Sequence, residues 1–176
     1  MTITKTIYLA GGCFWGAEHF LKMIDGVLET AVGYANSKQE SPTYQEVCTG
    51  IPDAAECVEV IYDPEKVPLE DLLGLFFKII DPTSIDKQGE DRGRQYRTGI
   101  YYTDPEDGKT VDEALGKLSD DYAAPIVVEN MPLKNFYKAE EYHQDYLGKN
   151  PGGYCHVPQQ KFIIARQYRK KQGTDL

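Results

Sequence analysis

A chain of 176 residues, 41% hydrophobic and 27% charged, has the makings of one soluble globular domain with an ordinary core. Its balance is acidic: 19 Lys and Arg against 28 Asp and Glu leave a formal charge of −9, a surface that repels phosphate backbones and argues against nucleic-acid binding. No apolar run is long enough to span a bilayer and Met1–Lys5 lacks the apolar core of a secretory signal, so the expectation is a cytoplasmic protein with no membrane partner.

In chain order, residues 3–10 read as a strand with Ile3, Ile7 and Leu9 on one parity. A helix follows from about Phe14 to Met23 and stops before the turn pair Asp25-Gly26. Val27–Tyr34 reads as a second strand, residues 35–43 as a polar loop, and Tyr44–Thr49 as one short helical turn. Glu56–Tyr62 is the clearest strand, with Val58, Val60 and Tyr62 on the parity of Glu56. Pro68 opens a helix whose apolar face is Leu69, Leu72, Leu73, Phe76, Phe77 and Ile80.

Residues 81–96 form a long polar loop, of the kind more often functional than connective. Arg97–Thr103 is a fourth strand, and Asp104-Pro105 starts a helix that carries Val111, Ala114, Leu115 and Leu118 on one side. A short edge strand is expected at Ile126–Glu129 and a helix from about Lys138 to Leu147. The breaker-rich Lys149–Gly153 then delivers Tyr154-Cys155-His156. Strands and helices alternate without a strict βαβ rhythm, which points to an α+β class. One domain is expected over 1–176, with a flexible C-terminal arm from about 148.

The cysteines stand at 13, 48, 57 and 155, with no Cys-x-x-Cys spacing to suggest a structural zinc site, and no metal is expected. Cys13 lies in Gly11-Gly12-Cys13-Phe14-Trp15-Gly16, where a strand gives way to a helix. The partial positive charge of a helix N-terminus favours the thiolate, the nucleophilic form. Packing is the competing reading, and the local pattern alone leaves the two about even. Glu56, on the parity of Val58 and Val60, is a proton donor if that face is the core, because desolvation raises a carboxyl pKa; otherwise it reaches solvent from the strand's end. Cys155, behind two glycines, suits a resolving thiol or is a chance late cysteine. His19 falls about 240° around the helix from Cys13, and His143 and His156 reach it only through tertiary structure. Cys48 and Cys57 read as packing residues.

These pieces in this order resemble the methionine sulfoxide reductase A family, the peptide-methionine (S)-S-oxide reductases. The resemblance runs from about Ile7 to His156. It rests on Gly12–Gly16, Gly33-Tyr34, Pro42–Cys48, Ala55-Glu56, Gln88-Gly89 with Asp91 and Gly93, Gln95–Arg97, and Lys149–Pro151 with Gly153–Cys155. It implies a two-layer α+β roll, a mixed sheet with a ferredoxin-like βαβ core. It further implies that Cys13 attacks the sulfoxide sulfur, that Phe14 and Trp15 receive the substrate methyl, and that Glu56 protonates the oxygen. Tyr44, Asp91 and Tyr96 surround that oxygen on the same reading. Cys155 then closes a Cys13–Cys155 disulfide for thioredoxin to reduce. No cofactor is implied, and a monomer is expected.

Four positions depart from the family pattern. Ala54 stands where many members have histidine, Glu90 replaces an asparagine, and Arg92 and Arg94 flank Asp91. No cysteine follows Cys155, which implies a relay of two thiols. A cysteine hydrolase on the same nucleophile and a non-catalytic binder of oxidised methionine are the alternatives.

Overall fold

The computed structural model describes residues 3–171. Strand β1 (Lys5–Ala10) leads through the Gly11–Cys13 turn into helix α1 (Phe14–Leu21), and β2 (Val27–Ala35) returns. After α2 (Tyr44–Cys48), β3 (Ala55–Tyr62) inserts between β1 and β2, antiparallel to both. Helix α3 (Leu69–Phe76), the two-residue strands β4 (Lys87–Gln88) and β5 (Asp91–Arg92), and β6 (Gly99–Tyr102) follow. Because β6 pairs with β1, the central strand order is β6-β1-β3-β2, a split βαβ arrangement of ferredoxin-like type. Helix α4 (Pro105–Ser119) crosses to β7 (Glu129–Pro132), which lies parallel to β6 at one edge, while β8 (Phe136–Lys138) closes the other edge against β2. The last elements are α5 (Tyr146–Lys149) and α6 (Gln159–Gln167).

The period of two along the strands sorts side chains between two faces. Ile7, Leu9, Val58, Val60 and Tyr62 join Phe14, Phe20, Leu72 and Phe76 in the main core under the helices. Ala10, Ala35, Ala55, Cys57 and Tyr101 form a thinner layer on the opposite face. Cys57 is therefore packing, as its parity suggests.

The secondary structure differs from the sequence expectations in several places. The edge strand starts at Glu129 rather than Ile126, because the Val127 N–H is taken by the Pro82 carbonyl, outside the sheet. The helix expected over 138–147 is instead β8, a 3-10 turn at Glu141–His143, and α5. Asp145, with φ of +50°, breaks any continuous helix there. In the segment read as an arm, Val157, Phe162 and Ala165 are buried, so part of it packs as α6. The 81–96 loop also carries the small β4–β5 hairpin, and β6 is shorter than Arg97–Thr103.

Candidate active site

Two glycines set the position of Cys13. A side chain at Gly11 would begin 2.6 Å from Ile80 Cγ2 and 2.9 Å from Phe76, so only glycine lets the β1–α1 turn pass the end of α3. Gly12 adopts φ of +78°, the left-handed region glycine occupies without strain. Cys13 is then the N-cap of α1, 8% exposed. Burial and the charge of Glu56 push its thiol up, and the N–H groups of Trp15 and Gly16, which favour the thiolate, offset this only in part. The helix N-terminus expected from the sequence is present, but desolvation outweighs it.

Glu56 faces the core and is 1% exposed. Its Oε1 accepts the Phe14 backbone N–H at 3.2 Å, the amide that directly follows Cys13. Its Oε2 is buried with no partner among the described residues. Desolvation, with the Asp91 charge adding to it and the Phe14 hydrogen bond opposing, pushes the carboxyl up to about 8. At neutral pH it holds its proton.

Tyr44 and Tyr96 are half-buried, and both feel the charge of Glu56. Burial first, then that charge, pushes both phenols up, so each is a donor at neutral pH. Tyr44 opens α2, which a capping box starts: Thr43 Oγ1 accepts from the Glu46 N–H at 3.2 Å and Glu46 Oε1 from the Thr43 N–H at 3.0 Å. Glu140 fixes its place, accepting from the Tyr44 N–H at 2.9 Å and the Tyr34 hydroxyl at 2.8 Å. Asp91 lies in the β4–β5 hairpin with a buried, unpartnered Oδ2. The arginines that flank Asp91 in sequence are engaged or turned elsewhere. Arg94 binds Asp53 at 2.8 Å and Asp86 at 3.0 Å, and Arg92 is exposed. Ala54 is buried, and Glu90 is exposed at the hairpin tip.

Phe14 is buried against Tyr34 and His143, while Trp15 is half-buried and stacks on Tyr146 at 3.7 Å. Cys155 reaches the same helix end: a side chain at Gly16 would begin 3.1 Å from its Sγ and 3.2 Å from His156 Nδ1. Both Cys13 and Cys155 are free thiols. Cys13, Phe14, Trp15, Glu56 and Cys155 thus meet at the start of α1, and Tyr44, Asp91 and Tyr96 lie close enough to exchange electrostatic influence with Glu56 or Cys13.

His143, Tyr146 and His156 also lie at this helix end, and no local pattern in the sequence marks them. His143 is fully buried, and its contact with Trp15 spans 128 positions of sequence, which no local pattern carries. His19 faces away, edge-on to Phe162 at 5.0 Å, as its helical angle requires. Cys48 is exposed on α2. A cavity of about 600 Å³ between α3 and α4 is lined by Glu70, Phe77, Glu113 and Lys117 and holds none of these groups.

A buried thiol, a carboxyl that keeps its proton, and a second thiol beside the first turn of the same helix are the groups that thiol-dependent oxidoreductase chemistry requires. The chain belongs to the peptide methionine sulfoxide reductase family, whose model matches residues 5–174. It is 54% identical over 156 residues to the peptide methionine sulfoxide reductase MsrA of Clostridium acetobutylicum, covering 89% of this chain and 96% of that protein. It superposes on reduced Mxr1 from Saccharomyces cerevisiae with a TM-score of 0.84 at 41% identity, over 88% of this chain and 91% of Mxr1. Against Mxr1 in complex with Trx2 the TM-score is 0.58 at 29% identity, over 81% of this chain and 84% of that one. Among the described residues no helix is long and apolar enough to cross a membrane.

Proposed function

We propose that this chain reduces the S-epimer of methionine sulfoxide, free and in proteins, to methionine, with Cys13 as nucleophile, Glu56 as acid and Cys155 as resolving thiol. The observation that carries the reading is Glu56. One oxygen is held by the amide after Cys13, and the other is buried, unpaired and protonated at neutral pH. A thiol does not displace oxide from sulfur unless the oxygen gains a proton, and this carboxyl supplies it beside the nucleophile.

Cys13 attacks the substrate sulfur while Glu56 protonates the oxygen, with the Tyr44 and Tyr96 hydroxyls donating to it and Asp91 bordering the subsite. Phe14 and Trp15 receive the methyl group. Methionine leaves and Cys13 becomes a sulfenic acid. With Glu56 neutral, its contribution to the high Cys13 pKa disappears, so the protonated acid and the more reactive thiol go together. Methyl and oxygen occupy different subsites, and the opposite epimer exchanges them. Cys155 then condenses with the sulfenic acid to a disulfide. The electrons come from thiols, so no cofactor takes part.

Thioredoxin is the reductant on this reading. The complex of yeast Mxr1 with Trx2 supports it. The chain acts in the cytoplasm as a monomer of one catalytic domain, its segment from about 148 moving to bring Cys155 onto Cys13.

The test is incubation of the reduced protein with racemic methionine sulfoxide and no reductant. About one methionine per chain is expected, from the S-epimer alone, with a Cys13–Cys155 linkage found by peptide mass. No methionine would sink the reading. Release of an alcohol or amine from an ester or amide would replace it with the hydrolase.

A further inference from the structure

We propose that His156 is the base that activates the resolving thiol, its Nδ1 taking the Cys155 proton as the Cys155 sulfur attacks the Cys13 sulfenic acid. The proposal rests on the reading of Cys155 as the resolving thiol.

The imidazole lies along the first turn of α1. A side chain at Gly12 would begin 3.0 Å from Nε2, and one at Gly16 would begin 3.2 Å from Nδ1 and 3.1 Å from Cys155 Sγ. The ring therefore spans the backbone of Cys13, and Nδ1 converges with the Cys155 sulfur on one spot. Both ring nitrogens are buried, and among the described residues neither makes a hydrogen bond of normal geometry, although the Gly11 carbonyl lies close enough to act on the ring. Leaving a buried imidazole unpaired is unfavourable, so the arrangement points to a partner gained during the reaction.

Cys155 needs a base. Burial pushes its thiol up, and its S–H rests on the Val157 carbonyl at 3.4 Å, an acceptor that cannot take a proton away. His156 has the required protonation state. Burial lowers its pKa below the usual value, against the charge of Asp91 on β5 and the nearby Gly11 carbonyl. Gln88 of β4, which also meets Gly12, is neutral. The ring is thus uncharged at neutral pH and has a lone pair to offer.

The step balances without another reactant. The Cys155 S–H bond breaks and its proton moves to His156. The S–S bond forms as the Cys13 S–O bond breaks, and the departing hydroxide takes the proton back to leave as water. The Cys155 sulfur supplies the electron pair of the new S–S bond and the Cys13 sulfur releases the S–O pair with the oxygen, so the two sulfurs end at the same oxidation level with no outside oxidant or reductant.

His19 is the natural control, because it lines the hollow of about 330 Å³ behind Cys155 but lies edge-on to Phe162. The experiment mixes reduced protein with methionine sulfoxide, quenches with alkylating reagent, and follows the Cys13–Cys155 linkage by mass spectrometry across pH. In the wild type, linkage should rise with pH through a pKa below the usual imidazole value and be level from about neutrality to about pH 8, above which loss of the Glu56 proton slows the first step. In His156→Gln it should slow at least about tenfold at neutral pH and climb with pH through the alkaline thiol range. Imidazole in the buffer should rescue His156→Ala, and His19→Gln should track the wild type. A His156→Gln rate and profile matching the wild type would overturn the proposal. So would a wild-type profile that follows a thiol, an outcome readable even if the variants fail to fold. A wild type that forms no Cys13–Cys155 linkage removes the resolving role of Cys155 itself, a failure distinct from linkage at an unaltered rate.

Discussion

The indole N–H of Trp15 donates to Nδ1 of His143 at 2.9 Å. With Nδ1 accepting, the neutral imidazole carries its proton on Nε2, which is buried without a partner among the described residues. Burial lowers the pKa of this histidine and keeps it neutral. Tyr146 stacks on the other side of the indole, at 3.7 Å and within 11° of parallel. Trp15 is therefore fixed from two directions before any substrate arrives, and a fixed wall binds a methyl group without having to be ordered first.

Removing the stack should loosen that wall. Tyr146→Ala is expected to raise KM for methionine sulfoxide by about three- to tenfold, the equivalent of one aromatic pair, with a smaller effect on kcat. Steady-state kinetics with a thioredoxin-coupled assay would show it. An unaltered KM would mean that Trp15 keeps its orientation through His143 alone.

Glu56→Gln should act on rate and stability in opposite directions. The amide still accepts the Phe14 N–H but has no proton to give, so the first turnover should slow by roughly 10²–10⁴. In the wild type that step should be level below pH 8 and fall above it, as the carboxyl with a pKa of about 8 loses its proton. Stability has its own sign. The native pKa lies above the usual value of 4.5, so Glu56 favours the native state fully below about 4.5 and loses that contribution as pH rises toward 8. Relative to the wild type, Glu56→Gln should therefore gain stability from acid to alkaline pH, on the order of 2–4 kcal/mol across the window. Urea denaturation at the two ends of the window measures it, and parallel curves would show Glu56 to be ionised in the native state.

The limits of the sequence follow the range of the interactions. The strands of the split βαβ unit and the helices after Cys13, Pro68 and Asp104 are legible because each has its own period and its own start signal. Strand β8 is not: it has three residues, and its place depends on the missing side chain of Gly33, about a hundred positions earlier. Helix α6 buries only Phe162 and Ala165, too few to mark a face. In the site, Cys13 and Glu56 can be read from a junction and a parity. Tyr44, Asp91 and Tyr96 are named by family resemblance alone, and His143, Tyr146 and His156 come to the site only through tertiary packing.

Gly16→Ala separates helix stability from the relay. Within α1, alanine should add about 0.5–1 kcal/mol of helix propensity. Its methyl would begin 3.1 Å from Cys155 Sγ and 3.2 Å from both His156 Nδ1 and Val157 Cγ2, so the 155–157 segment must shift. The expected outcome is a normal first turnover with severalfold slower disulfide formation, read by the alkylation and mass assay. Disulfide formation at the wild-type rate would mean that the segment gives way without consequence.

Gly33→Ala tests how the far edge of the sheet supports the substrate pocket. A methyl there would begin 2.5 Å from Phe136 Cζ and 2.6 Å from the Tyr137 carbonyl oxygen. The ring can turn aside, but the carbonyl belongs to β8, paired with β2 through Gly33↔Lys138 and Tyr34↔Tyr137. Accommodating the methyl pushes β8 off its neighbour, at a cost of about 1–3 kcal/mol. For a chain of this size that is roughly a 3–10 °C drop in Tm. Strand β8 runs directly into Glu140, which holds Tyr34 and Tyr44, and into His143, which holds Trp15. KM should therefore rise along with the loss of stability, although Gly33 itself has no part in the chemistry. Gly116→Ala is the matched control. It lies inside α4 with nothing within 4 Å of the new methyl, and should stabilise by about 0.5–1 kcal/mol with kinetics unchanged. If Gly33→Ala lowers Tm but leaves KM in place, the edge strand carries stability alone and the pocket is held from the α1 side.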